Sequence, residues 1–120
     1  MRSKVIRSKD RVELKFSEYV SLKEMLSKAD SENMSVDVAT LLPNSESGAH
    51  YHKKCEEAYL IIDGKMEVEI DGVKKTLEKG DCVVIKPKTK HKISNKSKKD
   101  CRFVIVNVPP YSDDDNIEVD

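Results

Sequence analysis

The sequence predicts an all-β single domain, on three observations. From residue 34 onward, apolar and polar side chains alternate in short runs, which is the period of half-buried strands. Tight-turn dipeptides, Asp63-Gly64 and Asp71-Gly72, punctuate those runs. At 120 residues the chain is long enough for one core and no more. Short strands at this spacing argue for an antiparallel sandwich or barrel.

In chain order, residues 4–16 read as one or two short strands with a turn near Ser8-Lys9-Asp10. Val12, Leu14 and Phe16 alternate there with Glu13 and Lys15 as in a half-buried strand. A short helix is expected next. Ser21 and Glu24 have the spacing of a capping box, and Val20 and Met25 that of a hydrophobic staple. Leu22, Met25, Leu26 and Ala29 would form its apolar face. Residues 1–33 are thus expected to be a strand-and-helix segment that packs on the barrel as a lid or an interface element.

Residues 34–110 read as the barrel core. A strand over 34–42 ends at Pro43, and a polar turn over 44–48 delivers His50. A strand over 57–62 is closed by Asp63-Gly64 as if by a tight hairpin. Met66, Val68 and Ile70 alternate with Glu67 and Glu69, and Val73–Leu77 pairs back after Asp71-Gly72. Cys82–Ile85, His91–Asn95 and the strongly apolar Cys101–Val108 complete the strands, and Pro109-Pro110 ends the last. Residues 111–120 read as an acidic, loosely held tail.

Composition narrows the function classes. Lys plus Arg (22) balances Asp plus Glu (22) and aromatic residues are only 5%, so neither charge nor stacking residues point to nucleic acid. Mean hydropathy is −0.60 and no apolar run approaches the ~20 residues of a membrane helix. Residues 1–10 are charged and lack the apolar centre of a signal peptide. Three cysteines at unrelated spacings favour reduced thiols over a disulfide framework. A cytoplasmic protein with no membrane partner is expected.

The chemistry concentrates in residues 48–64. Side chains at i and i+2 of a strand share a face, so His50 and His52 can present two imidazoles into one cavity. Glu57 could face them from a returning neighbouring strand, and His91 must arrive by tertiary folding. Imidazole and carboxylate together suit one divalent transition metal: Mn, Fe, Ni or Zn. The bland alternative is four surface residues in turns, but histidine is scarce here, and all three histidines fall in one constellation.

These residues resemble the two motifs of the cupin family. The first motif is a glycine-led His-x-His, three or four residues, Glu, six residues, Gly; here His50, His52, Glu57 and Gly64 match, with Gly48 closer to His50 than usual. The second is matched by Gly80, His91 and Asn95, with Lys86 and Lys88 standing where the family has proline and glycine. Glu56 also obeys the carboxylate spacing, but Glu57 keeps the six-residue distance to Gly64. The resemblance implies a jelly-roll cupin barrel, with His50, His52, Glu57 and His91 as metal ligands.

Neighbouring residues carry two readings each. Tyr59, two positions after Glu57, could face inward and act catalytically by orienting a substrate or donating a proton, or could pack in the core. Tyr51 should point away from the cavity. Cys55 reads as a turn thiol, with a soft metal ligand or redox role as the alternative, and Cys82 and Cys101 as small buried residues. Lys86, Lys88, Lys90, Lys92 and three more lysines by residue 99 are either a solvated face or an electropositive rim for an anionic substrate. Lys88 and Lys90 would then be the substrate-binding residues.

The resemblance implies a small-molecule ligand and a likeness to mannose-6-phosphate isomerase, with sugar-phosphate or uronate isomerase-like Lewis-acid chemistry. Its alternatives are a metal-dependent dioxygenase, a lyase, or a non-catalytic binding or sensing cupin. It also implies a homodimer, with the N-terminal strand and helix as the candidate contact.

Overall fold

The computed structural model describes residues 2–119. It contains twelve strands: β1 (Glu13–Lys15), β2 (Val20–Leu26), β3 (Ser35–Leu41), β4 (Ser45–Glu46), β5 (His50–His52), β6 (Glu56–Asp63), β7 (Met66–Ile70), β8 (Val73–Leu77), β9 (Cys82–Ile85), β10 (His91–Asn95), β11 (Cys101–Val108) and β12 (Asn116–Glu118). They form two antiparallel sheets that face each other. One runs β1-β2-β3-β11-β6-β9 and the other β12-β5-β10-β7-β8, with β4 added to β10. The predicted all-β barrel is therefore the observed fold. Among the described residues no helix is long and apolar enough to cross a membrane.

Strand alternation sorts the inner wall of the first sheet into layers. Register aligns Glu57, Asn107 and Ser35 in one row, and Tyr59, Ile105, Asp37 and Glu24 in the next. Below them lie Ile61, Phe103, Ala39 and Leu22, and then Cys101, Leu41 and Val20. The lower rows are fully apolar and, with Met66, Val68 and Ile93 from the other sheet, form the core. Polar groups thus gather at one end of the barrel, where the apolar core stops.

Several expectations change. Residues 20–26 form β2 and not a helix: Val20 and Leu22 are buried while Ser21 and Lys23 face outward. Their spacing fits period 2 as well as one helical face, and pairing with both β1 and β3 decides it, tertiary context overriding local propensity. The hydroxyl that shapes the entry is Ser17 Oγ, which accepts the Tyr19 and Val20 amides at 3.2 Å, and not Ser21. β1 is exposed along its length because it is a sheet edge; Val12, Leu14 and Phe16 lie open and not half-buried. Cys82 is likewise exposed, on the outward face of the edge strand β9.

The acidic tail is not loosely held. β12 pairs with β5, and Asp115 accepts the amides of Lys54 (2.9 Å) and Cys55 (3.0 Å) through its carboxylate. Nor does Asp63-Gly64 close a hairpin, since β6 and β7 belong to different sheets. Gly64 makes this crossing at φ +83, and a Cβ there would sit 2.5 Å from the Asp100 carbonyl oxygen and 3.0 Å from Cys101 Cα. Both obstacles are backbone. Gly64→Ala is therefore expected to lower unfolding stability by about 2–3 kcal/mol in urea titration; an unchanged midpoint would refute this account of the turn.

Candidate metal centre

Two histidines come from β5 and one from its neighbour β10, with His50 directly opposite His91 in register. The carboxylate does not come from a neighbouring strand, as the sequence suggested; Glu57 projects across the barrel from β6 in the other sheet. Ring centroids lie 4.2 Å (His50–His91), 5.3 Å (His50–His52) and 5.6 Å (His52–His91) apart. Glu57 Oε1 is 3.5 Å from His52 Nε2 and 3.4 Å from His91 Nε2. One ligand atom from each of His50, His52, Glu57 and His91 falls within 4.8 Å of every other. Glu56, on the opposite strand face, pairs with Lys86.

The donor set fits a divalent cation. His50 Nδ1 lies 3.0 Å from the Gly48 carbonyl oxygen and His91 Nδ1 2.9 Å from that of Thr89. A carbonyl only accepts, so each Nδ1 carries the proton and each Nε2 keeps its lone pair, the arrangement that orients ligating imidazoles. Both ring nitrogens of His52 and Nε2 of His91 are buried without a hydrogen-bond partner among the described residues. Buried polar atoms normally have partners, and a metal ion held by these nitrogens would satisfy those facing it.

Electrostatics agree. Burial opposes charge on Glu57, yet His52, His91 and Tyr59 together hold its carboxyl down at about 2, so it stays a carboxylate. Burial lowers the pKa of His50, with His91 adding to that; for His52, burial is outweighed by Glu57 and the net shift is upward. The Tyr59 hydroxyl donates to Glu57 Oε1 at 2.5 Å, and burial with the adjacent carboxylate drives its pKa far up. Tyr59 does face inward, fixed on Glu57.

Cys55 is buried, its thiol 3.1 Å from Asn107 Oδ1, and burial raises its pKa to about 12. Its burial and raised pKa fit a structural thiol, and it stands outside the histidine cluster. Lys88 and Lys90 are exposed, and neither lines the cavity beside the cluster. What Lys88 supplies is backbone: its amide donates to the His52 carbonyl at 2.6 Å, and its φ of +67 is the left-handed conformation that the family's glycine adopts freely. Lys88→Gly is expected to raise stability by about 0.5–1 kcal/mol in urea titration without loss of metal; a destabilised variant would overturn this.

The cavity holds about 860 Å³ and reaches from the cluster to β2 and the C-terminal segment. Its lining carries six carboxylates (Glu24, Asp37, Glu57, Asp113, Asp114 and Glu118) and one lysine, Lys28. Sequence reasoning missed Asp37, Tyr111 and Asn116 here. Asp37 had a signal, as the one charge in the inward series Ser35, Asp37, Ala39, Leu41. Burial, then Glu24 and Glu57, raise its pKa to about 7. Tyr111 and Asn116 had none, because nothing local ties the tail to β5.

A small antiparallel barrel with three imidazoles and a carboxylate at its polar end, a cluster able to bind a metal, has the architecture of a cupin, and comparison with known proteins agrees on the fold. The cupin domain family matches residues 37–107, and the chain belongs to that family. The uncharacterized protein MJ1618 of Methanocaldococcus jannaschii is 37% identical over 71 residues, 59% of this chain; the match spans 57% of that relative's length. Among solved structures, KdgF from Halomonas sp. superposes with a TM-score of 0.82 at 17% identity, covering 94% of this chain and 98% of its own. A predicted oxalate decarboxylase from Thermotoga maritima gives 0.79 at 24% identity, covering 88% and 99%. The polyketide cyclase RemF from Streptomyces resistomycificus gives 0.79 at 16%, covering 99% and 87%. At these identities the structures share the fold, and their chemistries differ.

Proposed function

We propose that this chain is a metal-dependent cupin enzyme acting on a small oxygenated metabolite, by isomerase- or lyase-type chemistry. The observation that carries this reading is the convergence of His50, His52, Glu57 and His91, with free nitrogen atoms, beside a cavity large enough for a sugar-sized molecule. A divalent cation bound there supplies Lewis acidity to a carbonyl or enolate oxygen. The chain's own residues orient and exclude. Tyr59 holds Glu57 in place, the Gly48 and Thr89 carbonyls fix two imidazoles, and the apolar rows below Tyr59 keep water from the inner end. An anionic substrate draws no support from Lys88 and Lys90, which lie outside the cavity. A non-catalytic binding role is the second reading: the Tyr59 hydroxyl, the acid the sequence pointed to, is tied to Glu57.

The test is elemental analysis of protein purified without added metal, followed by reaction screens. Manganese, nickel or zinc with turnover of an aldose, ketose or uronate supports the isomerase or lyase reading. Iron with oxygen consumption replaces it by a dioxygenase. Metal without turnover across the panel favours the binding role, and no metal after reconstitution sinks all three.

A homodimer was expected through the N-terminal strand and helix; residues 20–26 form no helix, and a different surface is proposed for it. The outward face of β3, β11, β6 and β9 is apolar, with Val38, Val104, Leu60 and Val84 in adjacent register positions. At ~4.8 Å per strand and ~3.3 Å per residue, the face spans roughly 300–400 Å². That is about half of the ~800 Å² a standard interface takes from each partner, the size of its apolar centre. Leu60→Lys is expected to convert a dimer to a monomer in sedimentation equilibrium; an unchanged mass for the variant would place the contact elsewhere.

A further inference from the structure

The cavity wall formed by β2 and β3 holds a second polar feature that the metal cluster does not use. Glu24 on β2 and Asp37 on β3 are directly opposite in register, both on the inward face and both lining the cavity. Asp37 is only 8% exposed. Its carboxylate has no hydrogen bond or ion pair among the described residues, and the group opposite it is another carboxylate. Like charges directly across a strand pair are destabilising, and a buried charge without a counterion is more so. Of the basic side chains nearest in sequence, Lys23 donates to Ser8 Oγ at 3.0 Å, and Lys28 is the one lysine that lines the cavity. A strained, unpartnered acidic group aimed into a cavity is what a binding site for a positive charge looks like before its ligand arrives.

We propose that the metabolite taken by this cavity carries a protonated amine, which Asp37 and Glu24 bind while oxygen atoms at its other end reach the cluster of His50, His52, Glu57 and His91. This rests on the metal-dependent reading above and names the substrate class for it. Distance fits. Asp37 lies two strands from Glu57 and one inward position along, so their Cα atoms are roughly 12 Å apart at ordinary strand spacings. Side chains reaching inward from both ends leave room for a ligand the size of an amino sugar. Charge fits too, since the six carboxylates outnumber Lys28 and the two charges of a bound divalent ion together, which leaves the lining acidic and favours a cation over a phosphate or carboxylate. A second metal is a poorer occupant: Asp37 and Glu24 gather no third ligand, and among the described residues only the histidine cluster has the donors to hold an ion.

The test compares three probes of one shape, glucosamine, glucose and glucose 6-phosphate, by thermal shift on manganese-reconstituted protein near neutral pH. Metal content is measured on the same samples. Glucosamine is expected to raise the midpoint by several degrees, glucose by less than half as much, and the phosphate not at all. Asp37→Asn and the more exposed Glu24→Gln are each expected to bring glucosamine down to the level of glucose. Glucose or the phosphate matching glucosamine, or both variants keeping the full preference, would overturn the proposal. Metal bound without a glucosamine preference defeats this inference alone, and a glucosamine preference without metal defeats the metal-dependent reading alone.

Discussion

Replacing His50 and His91 together by alanine is expected to reduce bound metal from one ion per chain to almost none while the barrel stays folded. The two side chains sit opposite each other on β5 and β10, and each keeps a free Nε2 because its Nδ1 is committed to a backbone carbonyl. Removing both leaves one imidazole and one carboxylate, a pair with little hold on a divalent cation. The fold should survive, because the apolar rows from Ile61 down to Cys101 do not depend on these rings, and Glu57 retains His52 and Tyr59 as partners. Any stabilisation by metal should vanish with the site: at a free-metal concentration a hundredfold above Kd, a bound ion adds about 2.7 kcal/mol to the wild type and nothing to the variant. Acid should release the ion, since each imidazole must be neutral to ligate. Glu57 raises the pKa of His52 above the ordinary histidine value, so proton competition begins at higher pH than for a free histidine. Elemental analysis after dialysis, with urea titrations at matched free metal, reads both effects. A double variant that still carries one ion per chain would remove these residues from any metal site.

The convergence of His50, His52, Glu57 and His91 was legible through strand alternation together with the cupin resemblance. His50 and His52 share a strand face by alternation, and Glu57 is separated from Glu56 by the same rule, which turns one inward and the other toward Lys86. Alternation also contained a warning against the lysine rim, since Lys90 and Lys92 flank the inward-facing His91 and must point away from it. What could not be read was anything settled by partners distant in sequence. Val20 to Leu26 satisfies helical and strand periods alike, and only the flanking strands choose between them. The tail looks like solvated acid until Asp115 is seen capping the amides of Lys54 and Cys55 and β12 is seen beside β5. Alternation marks Asp37 as the one charge of an inward series, but the carboxylate opposite it, Glu24, is placed there only by register.

That juxtaposition makes Asp37→Asn the second large effect, and an unusual one, because it is expected to stabilise. Burial, with Glu24 and Glu57, raises the Asp37 pKa from 3.8 to about 7. A carboxyl with a higher pKa in the folded state binds its proton more tightly there than in the unfolded chain. The penalty is therefore absent below the unfolded value, grows between about pH 4 and pH 7, and is fully present above pH 7. A shift of that size corresponds to at most roughly 4 kcal/mol. Asparagine keeps the shape and cannot ionise, so the metal-free variant should exceed the wild type by about 3 kcal/mol in urea titrations at pH 8 and by almost nothing at pH 4. A gain that does not change with pH would mean that packing, and not charge, is at issue. A loss at pH 8 would mean that the carboxylate has a partner. Asp37 lines the cavity with Glu24 opposite it, and an amine bound between them would do in the bound state what asparagine does in the variant.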